Sequence, residues 1–225
     1  MTFLRSKFAS APEYPRVAPF AIFVVLTTMQ GWFGEDSKYW LYSLKTVVGA
    51  WLVWEMRPFV EEMRWKISWE AVVIGVAVFA IWVGLDDLYP RLSKLDNEHP
   101  WNPQRQFGSG STAAWFYIFV RIAGSSIVVP PLEEVFYRSF LYRYFVKIDF
   151  RSMPLNRFHA LSFFVTSSIF GLMHPDRWLA GILCGLAYQW LVIRKNRLGD
   201  AMTAHGITNF LLGIWVVWKG AWSFW

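Results

Sequence analysis

Eight stretches of predominantly apolar residues, at 18–32, 39–56, 69–85, 112–129, 131–146, 158–173, 178–193 and 198–218, follow one another along the chain, separated mostly by short polar gaps. A hydrocarbon core of ~30 Å takes about 20 residues of helix to cross. The pattern therefore predicts an all-α, polytopic transmembrane helical bundle with seven to eight membrane helices. The gap at 86–111 is longer, begins acidic, and holds Pro90, Pro100, Pro103 and Gly108-Ser109-Gly110-Ser111. Such a loop belongs at a membrane surface. No stretch repeats another, and no low-complexity tract or soluble appendage interrupts the series. The expectation is one integral-membrane domain over residues 1–225, with a motif-bearing core at about 112–218.

Composition agrees with the pattern. Of 225 residues, 55% are hydrophobic, 17% are charged and 20% are aromatic, with a mean hydropathy of +0.30. These proportions exclude a disordered chain and an ordinary soluble domain, and aromatic rings in such number suit a protein that meets headgroup layers. The single cysteine, Cys184, excludes a disulfide scaffold; placed in an apolar run, it reads as packing.

The net charge of +6 would point to nucleic acid in a soluble protein. Here the Lys and Arg residues collect in gaps between apolar runs, which is a topology signal, and no nucleic-acid partner is expected. Arg5, Lys7 and Arg16 precede the first run, which has no small-residue cleavage site after it and reads as a retained anchor. Arg57, Arg64 and Lys66, then Lys147, Arg151 and Arg157, then Arg194, Lys195 and Arg197 mark three cytoplasmic gaps. Eight simple crossings cannot place all three on one side. Parity is restored if residues 112–146 make one net crossing, as a long helix kinked at Pro130-Pro131 or as a span plus a re-entrant piece. The amino terminus is then cytoplasmic.

Ionisable groups within apolar spans are costly and each marks a candidate site. Glu133, Glu134 and Arg138 follow Pro130-Pro131; His174 ends the sixth run; His205 and Asn209 lie in the eighth. Glu134 and Arg138, four apart, share a helix face and read naturally as an ion pair. Glu133 is rotated by ~100° and has no such local partner. Counting ~1.5 Å per residue from the basic gaps places Glu133, His174 and His205 all within the membrane. A buried carboxylate, two imidazoles and an amide are the parts needed to hydrolyse an amide bond through activated water. One Glu and two His would equally furnish three zinc ligands, so spacing leaves metal use open between none and a zinc held by Glu133, His174 and His205. The sequence contains no His-Glu-x-x-His and no Gly-x-Gly-Asp.

Glu133-Glu134-x-x-x-Arg138, Phe170-x-x-x-His174 and His205-x-x-x-Asn209, in that order, resemble the signature of the CAAX-protease and bacteriocin-processing (CPBP) family of intramembrane proteases. The stretches at 36–46 and 131–141 and the ending at 213–217 with 222–225 resemble the CAAX-protease-related proteins that accompany bacterial exosortase (PEP-CTERM) sorting systems. The resemblance implies a glutamic-type intramembrane endopeptidase in which Glu133 is the general base and His174 positions water. His205 and Asn209 would stabilise the oxyanion, with Glu134, Arg138 and Phe170 supporting the site or contacting substrate. It further implies a bacterial inner-membrane location, a membrane-protein or lipid-linked peptide substrate, and a link to exosortase or export components.

Bland readings stand beside these. His205 and Asn209 also suit interhelical hydrogen bonding, and His174 before Pro175 suits a helix cap. His99 and His159 read as solvated surface groups, and Gly181-x-x-x-Gly185 as a close helix-packing face. Lys45 and Arg121, cations in apolar runs, either snorkel to the interface, pair with a carboxylate such as Asp36, or contact substrate or anionic headgroups. The competing function class is a non-proteolytic scaffold or a proton-coupled transporter of an export system, since a buried Glu and His also serve a proton relay.

Overall fold

The computed structural model describes residues 3–92 and 100–225, and these are helical with no strand. The elements are α1 (Phe3–Ser10), α2 (Tyr14–Thr28), α3 (Ser37–Met56), α4 (Trp69–Gly84), α5 (Pro103–Phe107), α6 (Thr112–Tyr144), α7 (Ala160–Leu172), α8 (Trp178–Lys195) and α9 (Gly199–Lys219). His99 lies outside the described residues.

Helix starts follow from side chains that take up orphan backbone N–H groups. Ser68 accepts from Ala71 N at the start of α4, and Ser111 accepts from Ala114 N at the start of α6. His159, expected as a solvated surface group, instead caps α7: its Nδ1 accepts from Ser162 N at 3.3 Å. Asn196 closes α8 and Gly220 closes α9 in the left-handed conformation.

The two predicted stretches 112–129 and 131–146 are one continuous helix, so the expected eight runs become seven long helices among the described residues. Pro130-Pro131 does not break α6 because the backbone widens around it into two π-helical segments, Gly124–Val128 and Val135–Leu141. Widening shifts each N–H to the carbonyl five residues back, which absorbs the two missing proline donors over a longer stretch. Two helices, α6 and α9, are long and apolar enough to cross a membrane; α2, α4 and α7 are shorter apolar helices.

The helices bury many small and polar residues alongside an aromatic and aliphatic core, and they also turn large apolar residues outward. Phe210, Ile214 and Trp218 form an exposed stripe on α9, and Trp115 and Phe119 do the same on α6. A soluble bundle hides such a stripe. Inside, α7 and α8 approach through glycine: a Cβ on Gly181 would sit 2.8 Å from the Gly171 Cα, and one on Gly185 2.9 Å from the Ser167 Cα. The Gly181-x-x-x-Gly185 face is thus the close contact its spacing suggested.

A polar latch ties the amino-terminal helices to the far end of α6. Arg16, on α2, donates to both carboxylate oxygens of Glu62, and Arg143 donates to Glu62 Oε1 at 2.8 Å. Ser139, on the second π segment, hydrogen-bonds to Glu62 and accepts from Arg16 Nε. Burial pushes the Glu62 carboxyl up, but Arg16, Ser139 and Arg143 together outweigh it and hold the group below its ordinary value.

Candidate active site

The site is built where α6, α7 and α9 converge, with α4 and α8 behind. Glu134 is fully buried and shares its two oxygens between neighbours: Oε2 lies 3.2 Å from Arg138 Nε, and Oε1 lies 2.9 Å from His205 Nδ1. The expected ion pair is therefore present, and it also holds a histidine of another helix. Arg138, equally buried, stacks over the Phe170 ring at 4.5 Å and reaches the Gly185 carbonyl at 3.5 Å.

Phe170 lies in the middle of the constellation. Its ring is 5.2 Å from that of His174 and 6.2 Å from that of His205. It packs against the buried guanidinium and against both imidazoles, which gives its motif position a physical role.

Glu133, one residue earlier, lines the cavity that Glu134 does not reach. Its Oε2 has no hydrogen-bond partner among the described residues and lies 3.9 Å from His205 Nε2. The two nitrogens of one imidazole thus address two adjacent carboxylates, one in contact and one a little beyond contact. Ionised Glu134, paired with Arg138, accepts only; the His205 Nδ1 proton is assigned by that bond, and Nε2 is the atom presented to Glu133.

His174 Nδ1 is 3.0 Å from the Phe170 carbonyl. A carbonyl cannot donate, so Nδ1 carries the proton and Nε2 is left as an acceptor. The ring also meets Trp82 edge-on at 5.4 Å.

Asn209 is held by the π segment of α6. There the Val129 N–H bonds to the Gly124 carbonyl. The next carbonyl, Ser125, would be served by residue 130, a proline without an N–H. Asn209 Nδ2 fills the vacancy at 2.8 Å. Gly206 lets the backbones meet: a Cβ there would come within 2.7 Å of the Ser126 carbonyl. Asn209 spends one of its two amide protons on Ser125 and keeps the other.

Glu133, Phe170, His174, His205 and Asn209 line one cavity of ≈ 70 Å³, together with Tyr188 and Thr208. Glu134 and Arg138 stand behind its wall. Sequence reasoning did not find Tyr188, which stacks on His205 at 5.2 Å and donates to Thr208 Oγ1 at 2.7 Å. Thr208 in turn lies 2.9 Å from the Gly75 carbonyl. A tyrosine in an apolar run carries no signal of this, because its partner comes from a different helix.

A second cavity of ≈ 270 Å³ shares Trp82, His174 and Asn209 with the first and extends to Arg121, Arg177 and Trp225. Neither buried-looking cation pairs with Asp36, which accepts from Gln106 instead. Lys45 does not snorkel: it is 5% exposed, with Nζ 3.1 Å from Thr27 Oγ1 and 4.5 Å from the centre of the Tyr42 ring. Among the described residues, no three His, Cys, Asp or Glu groups are arranged to hold a metal ion.

Residues 113–211 match the family model of the Rce1-like type II CAAX prenyl endopeptidases. That span, a little under half of the chain, takes in all three motifs and is what the chain shares with that family. With the two long apolar helices it points to a membrane protein. No curated protein and no solved structure matches the chain.

Proposed function

We propose that this chain is an intramembrane endopeptidase of the glutamic type, with Glu133 as the base that activates water. The observation that carries the reading is the Glu133 carboxylate, without a hydrogen-bond partner at Oε2 and 3.9 Å from an imidazole nitrogen, in a cavity shared with His174 and Asn209. A carboxylate left unpartnered inside a bundle is costly, and reactivity is a reason to keep it.

The chemistry balances with these groups alone. Water lies between Glu133 and the acceptor Nε2 of His174, and its oxygen attacks the peptide carbonyl carbon as its proton passes to Glu133. The oxyanion takes hydrogen bonds from the uncommitted Asn209 amide proton and from His205 Nε2, which donates when the ring carries its second proton. Collapse breaks the C–N bond, and Glu133 returns the proton to the departing amine. Glu134 and Arg138 act through His205, fixing the ring. No step calls for a metal.

The substrate in this reading is a membrane protein or a lipid-linked peptide, handled in a bacterial inner membrane with the amino terminus cytoplasmic. The basic gaps support that orientation. The link to exosortase or export partners is a proposal resting on the stretches at 36–46, 131–141, 213–217 and 222–225. The test compares the termini of membrane proteins by mass spectrometry in cells carrying the wild-type chain or Glu133→Gln at equal expression. A terminus that appears only with wild type supports the reading and names the substrate; identical maps with export still dependent on the protein sink it.

A further inference from the structure

Arg121 is a cation in the middle of an apolar helix, and among the described residues no carboxylate pairs with it. What surrounds it is aromatic: its guanidinium carbon lies 4.7 Å from the centre of the Tyr42 ring, 4.8 Å from Trp101 and 5.4 Å from Trp225. These rings come from α3, from the segment before α5 and from the chain's last residue. Three distant parts of the chain are thus spent on holding one guanidinium without neutralising it. Ring quadrupoles attract a cation but leave its N–H groups free to donate.

The charge is aimed at open space. Arg121 lines the cavity whose other end is walled by His174, Asn209 and Trp82 of the candidate active site. Among the described residues, the other charged side chains lining this cavity are Arg177 and Asp176. Arg177 is already paired with Asp86, its Nε 3.2 Å from Oδ1. Lys45, buried on α3, also lies against the Tyr42 ring, at 4.5 Å. A guanidinium with no carboxylate paired to it among the described residues raises the local potential for an anion. Asp176 offsets part of it, so the cavity suits a singly charged group.

We infer that Arg121, held by Tyr42, Trp101 and Trp225, is a subsite for a substrate carboxylate, supplied by a peptide chain end or by an acidic side chain near the scissile bond. The inference rests on the peptidase reading above. It adds a specificity element: a planar guanidinium receives a carboxylate through two parallel N–H bonds. Anchored there, the peptide runs past Asn209 and His174 towards Glu133.

The test uses the full chain carrying Glu133→Gln, so that nothing is hydrolysed, in phosphatidylcholine nanodiscs. Three probes are compared by ligand-detected NMR: N-acetyl-alanyl-alanine as the free acid, the same dipeptide as its amide, and N-acetyl-aspartyl-alanine amide. The free acid should bind about tenfold more tightly than the amide. Arg121→Gln should bring that ratio near one, with Arg121→Lys intermediate. A tight aspartyl amide also supports the inference and assigns the carboxylate to a side chain. A ratio near one in the Arg121 protein, or a preference that survives Arg121→Gln, overturns it. Loss of the preference when part of the lipid is replaced by phosphatidylglycerol also overturns it, because a headgroup phosphate is then the occupant. A failed peptidase reading is seen separately: identical termini maps with the carboxylate preference intact leave a binding site on a protein that is not a protease.

Discussion

Glu134 grips His205 across two helices, Oε1 to Nδ1 at 2.9 Å, while its second oxygen answers Arg138. The carboxylate is fully buried and so is the guanidinium. Removing one charge strands the other, and the loss from breaking such a pair is about 3–5 kcal/mol. Glu134→Gln should lower the unfolding temperature in detergent and reduce kcat together. Glu134→Gln combined with Arg138→Met should regain much of the stability without regaining kcat, because the ring would still lack its carboxylate. If the double variant is as active as wild type, Glu134 is not what orients His205.

Glu133→Gln makes the opposite split. Its Oε2 has no hydrogen-bond partner among the described residues, so the amide replaces a group that supports little of the fold. The unfolding temperature should change by no more than a few degrees, whereas kcat on the substrate found from the termini maps should fall by roughly 10²–10⁴. Melting curves and single-turnover cleavage on one preparation measure both.

How far the sequence carried this site depends on which contacts are local. Glu134 with Arg138 was legible because a four-residue spacing survives even where α6 widens into a π segment. The convergence of Glu133, His174, His205 and Asn209 followed from motif order and depth. The continuous helix over α6 was one of two arrangements that charge parity allowed. What spacing could not convey is everything made between helices: the Tyr188 stack on His205, the Glu134 bond to the same ring, and the latch at Glu62. Asn209 is the instructive case. Its partner, the Ser125 carbonyl, is free only because the π register meets a proline, which no helical wheel displays.

That dependence makes Asn209→Asp an informative change of a single group. A carboxylate has no proton for the Ser125 carbonyl, and it has none for an oxyanion. Loss of the oxyanion donor should cost about 10²–10³ in kcat, and the unmet carbonyl about 1–3 kcal/mol of stability. Asn209→Ala should match it in rate. Rates near wild type for either variant would remove Asn209 from the chemistry.

The Glu62 latch sets a pH dependence far from the site. Its carboxyl is held below the ordinary value by Arg16, Ser139 and Arg143 in spite of burial. The folded form therefore binds its proton less readily than the unfolded chain. The latch contributes fully above the unfolded carboxylate value, near 4.3, and its contribution disappears as pH falls through the lower folded value. Unfolding temperatures between pH 3 and 7 should drop at the acid end for wild type. Glu62→Gln should be lower at pH 7, by on the order of 3 kcal/mol, and should show a smaller acid drop. Parallel curves for the two proteins would mean that Glu62 is not the titrating group.

The contact of α7 with α8 gives a prediction free of charge effects. Gly181 faces the backbone of Gly171, where an added methyl would stand 2.8 Å from Cα. Backbone cannot rotate away as a side-chain tip does, so the helices must separate. Because α7 carries Phe170 and leads into His174, separation at Gly181 displaces the wall of the candidate active-site cavity as well as loosening the bundle. Gly181→Ala should cost about 1–3 kcal/mol and lower kcat. The exposed Phe164 on α7 serves as the control: Phe164→Ala, changed on the outer face, should leave kcat near wild type. Should both substitutions affect kcat equally, the sensitivity would belong to α7 as a whole and not to its glycine contact.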